Sequence, residues 1–397
     1  MPVSFQKKPP AWWGPPRKFD PNIEERRISW LELFYDLVYV IAISRITHHL
    51  SLHVTLNGFL EYACLFILIF WGWLNGSLYH DIHGSIGLRT RLMTLWQVMI
   101  IAALAITIEQ EPVKRFEYMT IALMVMQFFI TYLWWSVGFY DKEHRRYNRP
   151  YTIFYLLSFA LLGLSLFVSP SWLKLIIVMV ILCNYIPPFI SQQLLRRSSL
   201  DLSLSSSMTE RLGLFTIIVF GEVVLGVVNG ISKADITHVE TWLNFVLSLS
   251  IVFILWWIFF TLVSNRSAKK SFVIASLLEL LYIPTLISLG VIAACMSGFF
   301  DSNDHDTSLH SVFGYALAVF LACISLMMGL LEFPEVAGPI KRPVRISLLV
   351  TALVFLVWSL IDIDPGMIYH LLIVIGILIA EIIYLNSLYY SLKIEGS

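Results

Sequence analysis

The sequence predicts an all-α polytopic membrane protein of about twelve transmembrane helices, built as a parallel tandem repeat of six plus six. Three observations carry this. Of 397 residues, 58% are hydrophobic and only 14% charged, with a mean hydropathy of +0.76, whereas a soluble domain carries roughly 25% charged residues. Apolar runs of roughly 17 to 25 residues recur along the chain, the length that a hydrocarbon core of about 30 Å demands of a helix. The runs are continuous rather than alternating, and lipid cannot satisfy open backbone groups, so helices fit them and a barrel does not.

Polar breaks divide the runs into helices near 29–50, 57–79, 91–108, 116–139, 151–168, 171–190, 210–230, 241–263, 272–299, 309–331, 344–361 and 366–391. Pro284 is expected to kink or break the long ninth run. The domain plan is an amino-terminal segment 1–28, a first half 29–190, a linker 191–209, a second half 210–391 and a tail 392–397. Trp12 and Trp13, set among prolines and basic residues, read as an interfacial anchor. The first run contains Asp36 and Arg45 and lacks a small-residue cleavage pattern, so no cleavable signal is expected.

Charge gives the direction. With twelve helices, 22 of the 27 Lys and Arg residues fall on the side of the amino terminus. Only Lys114, Arg115, Lys174 and Lys233 fall opposite, while Arg45 lies within the first helix. The positive-inside rule then places both termini in the cytoplasm of a multi-pass protein of the cell membrane. Net charge is zero, which offers nucleic acid no electrostatic footing. Cys64, Cys183, Cys295 and Cys323 sit inside apolar runs without CxxC spacing, so neither a disulfide framework nor a zinc site is indicated. No P-loop or dinucleotide-binding glycine pattern is present, and no cofactor is expected.

The halves resemble one another. Phe34-Tyr35-Asp36-Leu37-Val38 recurs as Phe220-Gly221-Glu222-Val223-Val224. Trp71-Gly72-Trp73 falls opposite Trp256-Trp257, and Arg149-Pro150 and Arg342-Pro343 open the fifth and eleventh helices. Six helices per half keep the copies in the same orientation, as in transporters built from two parallel halves.

Ionisable side chains within lipid cost several kcal/mol unless paired or hydrated, so each needs a reason. Ser29-Trp30-Leu31-Glu32 and Ser207-Met208-Thr209-Glu210 both read as capping boxes, which gives Glu32 a local role as an alternative to a site role. Asp36, about 10 Å into the first helix, and Glu222, about 18 Å into the seventh and close to the bilayer midplane, have no such explanation. Glu32, Asp36 and Tyr39 share one helical face. Gly221 and Gly226 flank Glu222 and permit close helix approach or a local break. Arg45 is expected to snorkel to the outer headgroups, and Gln97, Gln127, Glu279 and Glu381 are further intramembrane polar groups. A structural carboxyl tying helices together is the competing reading of Asp36 and Glu222. His48-His49-x-x-x-His53 and His80-Asp81-x-His83 superficially resemble di-iron histidine boxes, but the topology separates them by the hydrocarbon core, so one centre cannot use both. They read as interface polar residues, with a smaller claim for an outer metal site using Asp304, His305, Asp306 and His310.

The string Trp30-Leu31-Glu32-Leu33-Phe34-Tyr35-Asp36-Leu37-Val38-Tyr39-Val40 strongly resembles the bacterial low temperature requirement A family. Leu74-Asn75-Gly76-Ser77-Leu78-Tyr79-His80-Asp81 is similar to that family's second-helix end. Glu210-Arg211-Leu212-Gly213-Leu214-Phe215, continuing to Phe220-Gly221-Glu222, is similar to its mid-chain signature. The segment Leu255–Thr261 lacks an acidic residue often found there, and Leu281-Tyr282-Ile283-Pro284 lacks a histidine common before the proline. The resemblance implies membership of the family and leaves its biochemical activity unassigned. The leading expectation is a proton-linked secondary transporter of an unknown small solute or ion. Alternatives are a non-transporting membrane scaffold or envelope and cold-adaptation factor, and a lipid-acting membrane enzyme. For the last, the sequence offers no nucleophile or metal centre of convincing geometry at an interface.

Overall fold

Helix is the only regular element beyond one isolated bridge among the described residues. This computed structural model describes Pro16 and residues 28–52, 54–84, 87–140, 145–195, 204–235, 237–264, 266–269, 271–300, 308–361 and 366–392. The helices are α1 (Trp30–Leu52), α2 (Leu56–His83), α3 (Leu88–Thr107), α4 (Pro112–Tyr140), α5 (Arg145–Ser165), α6 (Pro170–Tyr185) and α7 (Pro187–Leu195). After these come α8 (Ser206–Ile231), α9 (Val239–Leu262), α10 (Phe272–Gly298), α11 (Ser308–Leu330), α12 (Gly338–Ile361) and α13 (Met367–Tyr390). Nine of the described helices, α2 to α4 and α8 to α13, are long and apolar enough to cross a membrane. The chain is therefore a multi-pass membrane protein in contact with lipid. Of the remainder, α1 carries Glu32, Asp36 and Arg45, α5 opens on three arginines, and α6 has 16 residues.

Each predicted run holds a helix, with two departures. The sixth run is divided at Ile186 into α6 and α7, because Pro187 and Pro188 lack the N–H groups that would continue the ladder. Pro188 leaves the Asn184 carbonyl without its intrahelical donor, and the Trp71 indole N–H takes it at 2.9 Å. Pro284, by contrast, does not break α10, which continues from Phe272 to Gly298. The carbonyl that the proline leaves without its intrahelical donor is that of Leu280, and the carbonyl next to it, Leu281, receives the Thr285 hydroxyl at 2.7 Å.

The chain divides into two compact units, Met1–Ala42 with Leu68–Leu200, and Ile43–Ile67 with Asp201–Ser397. The first unit is knit by α4 against α3 and α5, and by α5 against α6 and α7. Its core holds Trp71, Trp73, Trp134, Tyr151 and Tyr155, with Trp134 and Tyr151 stacked at 4.4 Å. The second unit is organised around α10, which packs on α8 and α11, with α12 on α11 and α13 on α9. Phe215, Phe259, Phe313 and Phe320 fill that core.

At the amino end of α1 the capping box forms as expected. The Ser29 amide and hydroxyl both donate to Glu32 at 2.8 Å, and the Glu32 amide returns to the Ser29 hydroxyl at 3.3 Å. At α8 the cap differs from expectation. Ser205, not Ser207, accepts from the Met208 amide at 3.0 Å, and Ser207 lies buried inside the helix. Three consecutive serines offer the chain a choice of cap, and the earlier one adds helix without moving an apolar residue.

Candidate functional site

The second unit contains a polar cavity of about 250 Å³ between three helices. From α1 it takes Ser44, Arg45, Thr47, His48 and Ser51, from α8 Glu222 and Asn229, and from α10 Ser297. All lie in the carboxyl-terminal half of their helices. Since α8 begins at Ser206 rather than 210, Glu222 is about 24 Å from its amino end in a helix about 39 Å long, past the middle rather than at it. The Ser44 hydroxyl faces the Glu222 carboxylate. Tyr62 of α2, buried, is near enough to feel the Glu222 charge, and its hydroxyl lies with that of Thr47 over Gly290.

Glycine builds the wall beside this cavity. A Cβ at Gly226 would come within 2.3 Å of the Ala293 carbonyl oxygen, and one at Gly230 within 2.4 Å of the Met296 carbonyl. Two glycines one turn apart thus bring α8 against the backbone of α10, the small-residue contact of membrane helices. Gly221, the other flanking glycine, meets nothing within 4 Å. Gly230 was not singled out by sequence, although the Gly-x-x-x-Gly spacing from Gly226 signals it.

In the first unit Asp36 has different surroundings. It is wholly buried, and the Trp73 indole N–H donates to its Oδ1 at 2.7 Å. Glu32, Asp36 and Tyr39 are all buried, so the predicted shared face points inward. Beside them the Tyr35 hydroxyl donates to Gln97 at 2.9 Å. Gln127 donates to the Asn184 side chain at 3.1 Å, Tyr155 donates to Asn75, and Asn75 donates to the Trp71 carbonyl at 3.0 Å. Gln97 is thus held by Tyr35, and Gln127 joins a hydrogen-bonded set with Asn184 and Tyr155. Trp73, Asn75, Tyr155 and Asn184 were missed by sequence. Their signal was an indole, a phenol and amides inside apolar runs, where each needs a partner.

The family model for the bacterial low temperature requirement A protein (LtrA) matches residues 27–380. The chain belongs to the LtrA family. No curated protein matches it. Of the positions that carry the LtrA strings, Trp30 and Phe34 are exposed on α1, Glu210 and Gly221 are exposed on α8, and Arg211 is 1% exposed. His80 is buried, its Nε2 3.1 Å from the Thr94 hydroxyl, while Asp81 is half-buried. Arg45 is exposed and lines the Glu222 cavity.

Glu381 is tied to the α12 hydroxyls of Ser347 and Thr351, the latter at 2.8 Å. Glu279 makes no hydrogen bond among the described residues. Of the histidine clusters, His48 lines the cavity, and the His310 and His370 rings lie 4.4 Å apart. Among the described residues no three His, Cys, Asp or Glu side chains converge as a metal site. His53, Asp304, His305 and Asp306 lie outside the described residues, as do Trp12 and Trp13.

Proposed function

We propose that this LtrA protein is a proton-linked secondary transporter of a small polar solute or ion. In this reading α1, α5 and α6 with α7 join the nine long apolar helices as twelve spans, in two parallel six-helix halves, with both termini in the cytoplasm. The basic residues on the amino-terminal side favour that orientation. Pro150 and Pro343 each occupy the sixth position of their helix, α5 and α12, which supports the repeat.

The observation that carries the proposal is the cavity at Glu222. A carboxylate, a guanidinium and a set of hydroxyls sharing one polar pocket inside an apolar bundle can exchange a proton and hold a polar solute. Lipid-facing surface can do neither. Glu222 is the proton carrier, Arg45 supplies a fixed positive charge, and Ser44, Thr47, Asn229 and Ser297 offer hydrogen bonds. Asp36 supports a second, structural role, because its carboxylate is buried under the Trp73 indole.

Proteoliposomes loaded with a pH-reporting dye test this against imposed sodium, potassium and mixed amino-acid gradients. The wild-type protein should move protons with at least one gradient, and Glu222→Gln should abolish the coupled proton movement while still inserting. Proton flux unaltered by Glu222→Gln would overturn the assignment.

A further inference from the structure

Two connections of the second unit are joined to one another. The Lys269 amide donates to the Leu330 carbonyl at 3.0 Å, the Glu332 amide donates to Ser267 at 2.9 Å, and Ala268 and Leu331 form an antiparallel bridge. These segments link α9 to α10 and α11 to α12, and all four helices are apolar enough to span. The joined connections therefore lie where four spans end, at the depth of one leaflet's headgroups.

Four cations gather there. The Arg266 guanidinium stacks 4.0 Å from the centroid of the Phe333 ring, and Lys341 Nζ lies 4.6 Å from the same centroid. Lys269 donates to the Gly329 carbonyl at 2.8 Å, Lys341 to Leu331 at 2.9 Å, and Arg345 to Ser325 at 2.8 Å. These contacts cap the carboxyl end of α11 and leave most donors of each cation unspent. Lys341 is close enough to Lys269, Arg345 and Arg266 to feel the charge of each. Among the described residues no carboxylate forms an ion pair with any of the four, and Arg266 Nε is buried without a hydrogen bond.

A groove of about 610 Å³ lies between α12 and α13. Arg342 stands in it, and Ile346, Val350, Ala380 and Tyr384 form much of its wall. The Glu381 carboxylate in the groove is already engaged by Ser347 and Thr351.

We infer that this end of the second unit binds an anionic phospholipid, its phosphate held by Arg266, Lys269, Lys341 and Arg345 and one acyl chain laid in the α12–α13 groove. Unpaired cations at headgroup depth call for an anion. A groove whose wall includes Arg342, the residue after Lys341, and then apolar side chains selects a diacyl lipid over free phosphate.

Native mass spectrometry of the full-length protein tests this. The probes are phosphatidylglycerol, phosphatidylcholine, glycerol 3-phosphate and inorganic phosphate. Phosphatidylglycerol should be retained over phosphatidylcholine by about tenfold or more, and that preference should be lost in Lys269→Gln with Lys341→Gln. Those lysines also cap α11, so Arg266→Gln, whose nearest carbonyl contact is the longer 3.3 Å to Thr261, is the second charge variant. Val350→Trp should fill the groove and displace the diacyl lipid. Equal retention of the two lipids, or a preference unmoved by both charge variants, would overturn the inference. So would displacement of the lipid by glycerol 3-phosphate or inorganic phosphate at equal concentration, which would assign the cluster to a free phosphate.

Discussion

The Trp73 indole nitrogen donates to the Asp36 carboxylate at 2.7 Å, joining α2 to α1 through two side chains with no exposed surface. A hydrogen bond to a charged or polar buried acceptor contributes more than an exposed one, because losing the donor leaves the acceptor desolvated.

Trp73→Phe removes that donor while keeping most of the ring volume. It should destabilise the protein by about 1.5–3 kcal/mol, read by unfolding in detergent. Asp36→Asn retains an oxygen that accepts the indole N–H and should cost about 1 kcal/mol or less. A larger loss from Asp36→Asn than from Trp73→Phe would show that the tie between these two residues is not what stabilises this interior.

Gly226 and Gly221 should respond oppositely to a side chain. A Cβ at position 226 falls 2.3 Å from a backbone oxygen of α10, which cannot give way as a flexible side chain could. Gly226→Ala should destabilise by about 1–3 kcal/mol. Gly221 faces open space, and Gly221→Ala should stabilise by up to about 1 kcal/mol through helix propensity. Matching melting temperatures for the two variants would contradict the close approach of α8 and α10.

Hydropathy made the helices legible because each apolar run is a local property of the chain, and the Ser29–Glu32 box was legible because its partners are three residues apart. The site was only half legible. Glu222 was marked by its cost in lipid, but its company of Ser44 and His48 from α1 and Ser297 from α10 depends on which helices meet, and hydropathy does not encode that. The division at Ile186 is encoded by Pro187 and Pro188, yet a continuous apolar run concealed it. Asp36 was read with Glu222 as one of a matched pair. The structure gives one an indole donor in a buried interior and the other a polar cavity, a difference set by residues 37 positions away or more.

The cap of α8 offers a direct check on where that helix begins. Ser205→Ala removes the acceptor of the Met208 amide and should cost about 1 kcal/mol. Glu210→Ala, at an exposed position, should change stability by about 0.5 kcal/mol or less. The reverse ranking in thermal unfolding would restore the cap to Ser207 with Glu210.

The turn between α8 and α9 should loosen in acid. The Thr237 amide and hydroxyl donate to Asp235 at 2.9 and 2.7 Å, and these bonds hold the Asp235 carboxyl below the usual carboxylate range. A depressed pKa means that the turn gains stability above the ordinary carboxylate value and loses it as pH falls through the lowered one. The Thr237 amide should therefore keep a constant hydrogen-exchange protection factor from neutral pH to about 4, then lose it on further acidification. In Asp235→Asn the protection should be weaker and independent of pH. A wild-type protection factor that does not change in acid would show that the carboxylate does not organise this turn.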